Sequence, residues 1–203
     1  MTKCGCEQEA QELQGHQSRT LIVILLINAI MFFVEASAGL LANSSALLAD
    51  SLDNLGDALV YGFSLYVVAR SMRWKAASAF IKGMIQLGFG LSVLGITVYK
   101  LLHPVVPVAS AISGVGLLAF AANGVCAALL LRHRHDDLNM NSVWLCSRND
   151  LVNNIAVILA GAAVAMLQSH WPDTLVGLGI AALFLHTSYG VLSRSIAQLS
   201  IAR

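Results

Sequence analysis

Charge is scarce in this sequence. Only 11% of its 203 residues are Asp, Glu, Lys or Arg, against roughly a quarter in a soluble domain, and the mean hydropathy is +0.73. A soluble globule of this size is excluded, and so is a basic face for nucleic acid. Proline is limited to 3 residues and aromatic side chains to 7%, which permits long uninterrupted helices. The cysteines stand at Cys4, Cys6, Cys126 and Cys146, only the first two close together, so a disulfide framework is excluded and the thiols are expected to be free. Also missing are the basic n-region and small-residue cleavage site of a signal peptide. Glu7, Glu9 and Glu12 precede the first apolar run, and the N-terminus is expected to be retained.

Apolar runs of spanning length occupy most of the chain. They cover residues 19–41, 45–70, 76–102, 107–131, 138–167 and 172–199, each long enough at ~1.5 Å per residue to cross a hydrocarbon core of about 30 Å. This predicts an all-α integral membrane protein, a six-transmembrane-helix bundle (residues 19–203) preceded by a polar leader (residues 1–18). Lys3, Arg19, Arg70, Arg73, Lys75, Arg132, Arg134 and Arg203 fall at one side of such a bundle, and essentially Lys100 at the other. The positive-inside rule then places both termini in the cytoplasm. Compact loops and the missing targeting segment point to a bacterial inner membrane.

Against this background the costly residues stand out. Asp50, Asp53 and Asp57 interrupt the second span, and at 100° per residue Asp53 falls about 60° and Asp57 about 20° behind Asp50. They form one stripe, and carboxylates at membrane depth face a bundle interior and mark an ion pathway. The fifth span offers Cys146 and Asp150, four residues apart and on one face, with Arg148 turned elsewhere. Counting rise from the helix ends puts Asp53 and Asp57 about 12 and 18 Å below the outer end, and Cys146 and Asp150 about 10 and 16 Å above the inner end. Two antiparallel helices would thus close Asp53, Asp57, Cys146 and Asp150 around one ion near the midplane.

Oxygen and sulfur ligands in fours suit a tetrahedral divalent cation such as zinc or cadmium, whereas magnesium and calcium want six or more oxygens. Ligands that shed protons to bind metal make proton exchange available as a driving force. The reading calls for no cofactor and no catalysis, since the metal is cargo. A polar network, with the carboxyl groups hydrogen-bonded to Asn54, Asn153 and Asn154, is the alternative. Other polar interruptions are assigned to packing: Asn28 and Glu35 to interhelical hydrogen bonds, Lys82 to snorkelling, and Cys126 to the core. Cys4 and Cys6 in the leader, and His133 and His135 in the loop after the fourth span, are additional candidate metal donors.

On three segments the chain resembles the cation diffusion facilitator family. Gly39 to Ser51 is similar to its first hairpin and the start of its second helix, followed by paired ligands at Asp53 and Asp57. Asp137 to Asp150 resembles its fifth-helix motif, normally His-x-x-x-Asp, and Pro172 to Ala181 the start of its sixth helix. The resemblance implies export of zinc-like divalent cations, usually in exchange for protons, by a six-helix protein that is commonly a homodimer. It carries ligand roles to Asp53, Asp57, Cys146 and Asp150, with Asp50 and Asn54 as the fallback register. Cys146 stands where histidine is usual and Asp53 where histidine is common, which opens the site to cadmium, cobalt or another thiophilic ion. The family's carboxy-terminal cytoplasmic domain has no counterpart in this sequence, so a dimer is expected to form through the spans. Two rivals remain at this stage: a membrane metal sensor or chaperone working through the leader, and an intramembrane aspartyl protease built on Asp57 and Asp150.

Overall fold

The computed structural model describes residues 5–67, 72–132 and 138–201, and all its regular structure is helical. Six helices follow in order: α1 (Gly5–Leu41), α2 (Ser45–Val67), α3 (Met72–Leu102), α4 (Ala109–Leu131), α5 (Leu138–Leu167) and α6 (Trp171–Ile201). Five of them, all but α2, contain a stretch long and apolar enough to cross a membrane. The protein is an integral, multi-pass membrane protein. Helix α2 has the length but carries three carboxylates.

The predicted spans hold to within a few residues, with one extension. Helix α1 starts at Gly5, so the polar residues before Ser18 continue the first span as helix. Glu7, Glu9, Ala10, Glu12 and Leu13 are good helix formers, and acids near a helix N-terminus oppose its dipole. Cys4, Arg70, His133, Arg134, His135 and Arg203 lie outside the described residues, as do the side chains of Cys6, Lys82 and Cys146.

The link between α1 and α2 shows how local sequence sets the path. Asn43 adopts a left-handed φ of 56°, Ser44 N–H bonds Gly39 C=O at 2.9 Å and Asn43 N–H bonds Leu40 C=O at 3.3 Å. This pair of bonds satisfies the last carbonyls of α1 and reverses the chain. Ser44 then caps α2, its hydroxyl accepting Leu47 N–H at 3.1 Å, as the serine pair leads one to expect.

Helix α2 is the centre of the bundle and touches all five other helices. The most extensive contacts pair α1 with α2, α4 with α5 and α3 with α6, and α1 also meets α4 and α5 meets α6. Two apolar clusters flank its acidic stripe. One gathers Ala46, Leu47 and Ala49 with Val93, Ile112, Val157 and Phe184; the other packs Tyr61 with Leu21, Ile24, Cys126 and Leu130. Cys126 is therefore a buried core thiol. Phe33, Leu40, Leu159 and Met166 point outward, as lipid-facing side chains do.

Close approach of α4 and α5 depends on small residues. A Cβ on Gly161 would lie 2.8 Å from the backbone nitrogen of Ser113, and one on Gly116 would lie 3.1 Å from Ile158. Gly161→Val is expected to lose about 1–3 kcal/mol of stability by overpacking. Gly124→Val, where a Cβ meets nothing within 4 Å, is expected to be neutral in the same thermal unfolding series in detergent.

Candidate metal site

The acidic stripe of α2 faces a row of amides on α5. Asn154 Nδ2 donates to Asp50 Oδ2 at 2.8 Å, and Asn153 Nδ2 donates to Asp53 Oδ2 at 3.0 Å. Asn154 is itself held from α4, where Asn123 Nδ2 donates to its Oδ1 at 2.9 Å. The chain Asn123, Asn154, Asp50 thus crosses three helices, and all three residues are buried. Asp50 is only 1% exposed.

One turn deeper, Asp57 meets two partners. Tyr61 O–H, one turn along the same helix, donates to Asp57 Oδ2 at 2.6 Å, and a side-chain hydrogen bond joins Asp57 to Asp150 of α5. Two carboxyl groups make a hydrogen bond only when a proton lies between them. The sequence-predicted residues Asp57 and Asp150 are therefore in contact. Asp53 sits one turn away, tied to α5 through Asn153.

Other candidates are placed differently. Asn54 turns from the stripe toward α1, donating from Nδ2 to Glu35 Oε2 at 2.9 Å and to its own helix at Asp50 C=O. That gives Glu35 the interhelical bond expected of it, although its Oε1 is buried with no hydrogen-bond partner. Asn28 departs from expectation: it bonds the Ile24 carbonyl of its own helix at 2.9 Å, because an amide four residues on reaches that acceptor without leaving α1. Arg148 is exposed, its guanidinium 5.5 Å from the Trp144 ring centroid, so the fifth-helix arginine does point elsewhere. Cys146 lies on α5 one turn before Asp150.

Among the described residues no three of His, Cys, Asp and Glu converge closely enough to hold a metal ion. The carboxyl groups are engaged by amides, by Tyr61 and by one another, so a four-ligand set requires these bonds to be exchanged. Reading the sequence missed Tyr61 and the bridging role of Asn123. The first could have been found from its spacing of four from Asp57; the second had no signal beyond an isolated amide in an apolar run.

Residues 21–200 match the cation efflux transmembrane domain. The chain belongs to that family. Among its relatives is a cadmium, cobalt and zinc/H(+)-K(+) antiporter of Bacillus velezensis, 23% identical over 199 residues, which cover 91% of this chain and 64% of the relative. Another is the zinc transporter ZitB of Pectobacterium atrosepticum, 25% identical over 206 residues, with 92% and 62% covered. The Bacillus subtilis antiporter of the same description is 21% identical over 197 residues. This cation efflux chain spans less than two thirds of the length of these curated relatives.

Loss of an amide from the α2–α5 row leaves buried groups without partners. Asn154→Leu strands Asp50 and Asn123 together and is expected to cost about 1–3 kcal/mol for each unsatisfied group. Asn149→Leu, at an exposed position of the same helix, is expected to change the unfolding midpoint by less than a degree or so.

Proposed function

We propose that this protein exports divalent transition-metal cations, zinc, cadmium or cobalt, from the cytoplasm in exchange for protons. The observation that carries the reading is the side-chain contact of Asp57 and Asp150, which in the proposed metal-free state share a proton, in the interior of a membrane bundle whose family is cation efflux. A divalent ion entering there displaces that proton, which couples metal binding to proton release without any further machinery. Asp53, tethered one turn away, and Cys146, one turn before Asp150, complete the proposed ligand set when the amide bonds are released. Asp50 and Asn54 are then structural, since their bonds run to Asn154 and Glu35. The relatives' descriptions name cadmium, cobalt and zinc with H(+), which supports the same class of cargo.

The bacterial relatives support a bacterial inner membrane, and the distribution of Lys and Arg supports cytoplasmic termini. A homodimer, if formed by these helices alone, would meet through their lipid-facing sides. The carboxyl pair is also what an intramembrane aspartyl protease would use. Family membership favours transport, and Asp53 would be idle in a protease. A sensor or chaperone would work through the leader, so deleting Met1 to Gln17 separates it: a transporter keeps basal flux and a chaperone loses function.

Metal-driven proton flux in proteoliposomes tests the reading directly. Zinc, cadmium or cobalt is expected to drive proton movement that Asp57→Ala and Asp150→Ala abolish, while Asp50→Asn retains a measurable fraction. Cys146→His is expected to shift the ranking from cadmium toward zinc. No flux from folded protein with any of these ions or with manganese would end the transporter reading. Affinity provides a second measurement. Because the free site holds a proton that the loaded site lacks, zinc binding should strengthen as pH rises, by about tenfold per unit for each proton released. Calorimetry in buffers of different ionisation enthalpy counts those protons.

A further inference from the structure

Asp173 stands in the first turn of α6, where a carboxylate ordinarily opposes the dipole of its own helix. Here it is 2% exposed and reaches across to α2. Ser45 N–H donates to Asp173 Oδ2 at 2.6 Å and Ala46 N–H to Oδ1 at 3.2 Å, while the Ser44 hydroxyl donates to Oδ1 as well. The first amides of α2, which have no acceptor within their own helix, therefore end on α6. Beside them is Lys100 of α3. Its side chain is half-buried and its Nζ is enclosed with no hydrogen-bond partner; Thr97, one turn before it on α3, lies against Gly177, one turn after Asp173 on α6, where a Cβ would sit 3.3 Å from Thr97 Oγ1. Asp173 and Lys100 belong to one helix pair, α3 with α6, whereas the amides belong to α2, which pairs with α1.

We propose that Asp173 is a latch between these helix pairs and that Lys100 is the partner to which it passes when the latch opens. Separation of α2 from α6 removes three donors from a buried carboxylate, which would be prohibitive without a replacement. Lys100 supplies one from the same moving pair, at no cost in new packing. The closed state has three hydrogen bonds to Asp173 and an idle ammonium; the open state has an ion pair and a freed α2 terminus. Asp173 is thus a positioning residue for α2, acting on a first turn that begins five residues ahead of Asp50 and touching no cargo. The proposal rests on the bonds at this end of the bundle and does not depend on which ion is carried.

Ala46 lies behind the latch and is fully buried, so a cysteine there reports opening. In nanodiscs, Ala46→Cys protein is treated with a polar maleimide, and the reaction of the four native cysteines, measured in the parent, is subtracted. Asp173→Asn is expected to speed modification at position 46 by about tenfold or more, the scale of a lost charge-assisted hydrogen bond. Lys100→Met, which removes the open-state partner, is expected to slow it. A structural defect would move both variants in the same direction, so shifts of the same sign overturn the proposal, as does an unchanged rate in folded Asp173→Asn. Melting temperatures establish folding. Should Asp173→Asn not fold, Lys100→Met decides alone: slower modification supports the latch, and an unchanged or faster rate overturns it.

Discussion

A carboxylate inside a membrane bundle must find hydrogen-bond donors, and helix α2 carries three aspartates in two turns, Asp50 buried and Asp53 and Asp57 half-buried. The surrounding helices are arranged by that demand. Asn153 and Asn154 place α5 opposite the stripe, Asn123 brings α4 behind α5, and Asn54 ties the other side of α2 to Glu35 of α1. Apolar packing above and below adds cohesion but little direction, because lipid is as apolar as the helix surfaces it would replace. Polar bonds therefore set which helix faces which. Central placement of α2, in contact with every other helix, follows from its being the helix least able to face lipid.

Much of this was legible in the sequence, and for a physical reason. Spans follow from runs of apolar residues, and the stripe follows from helical period, both of which are local properties. That Asp57 and Asp150 lie at comparable depth could be reached by counting rise from the helix ends, since the two helices run antiparallel. What could not be reached was register at the level of single side chains. Asn153 and Asn154 are neighbours, yet each serves a different aspartate, which depends on the rotation of α5 against α2. Asp173 was hidden for another reason. Its position after Pro172 reads as an ordinary helix start, and nothing local reveals that the amides it serves belong to α2.

The nature of the donors bears on function. Amides and a phenol satisfy the hydrogen-bonding needs of Asp50, Asp53 and Asp57 but bring no positive charge. A guanidinium would have done both, and would have left the interior neutral and closed to cations. Arg148 is near in sequence to the site and is directed away from it, against Trp144. Keeping the one nearby arginine outside leaves negative charge, or the protons that compensate it, as the property of the interior.

On the proposed function, a proton and a divalent metal ion are alternative solutions to the same electrostatic problem. With no metal, Asp57 and Asp150 would approach by sharing a proton; with metal, the ion would supply the attraction and the proton would be superfluous. Such an exchange would need no separate proton-carrying residue, because the same oxygens would serve both ions. It would need α2 to move slightly as amide bonds give way to metal bonds. Its first turn is held by Asp173 from outside its own helix pair, so freedom at the site and retention at that end are coupled through one rigid helix.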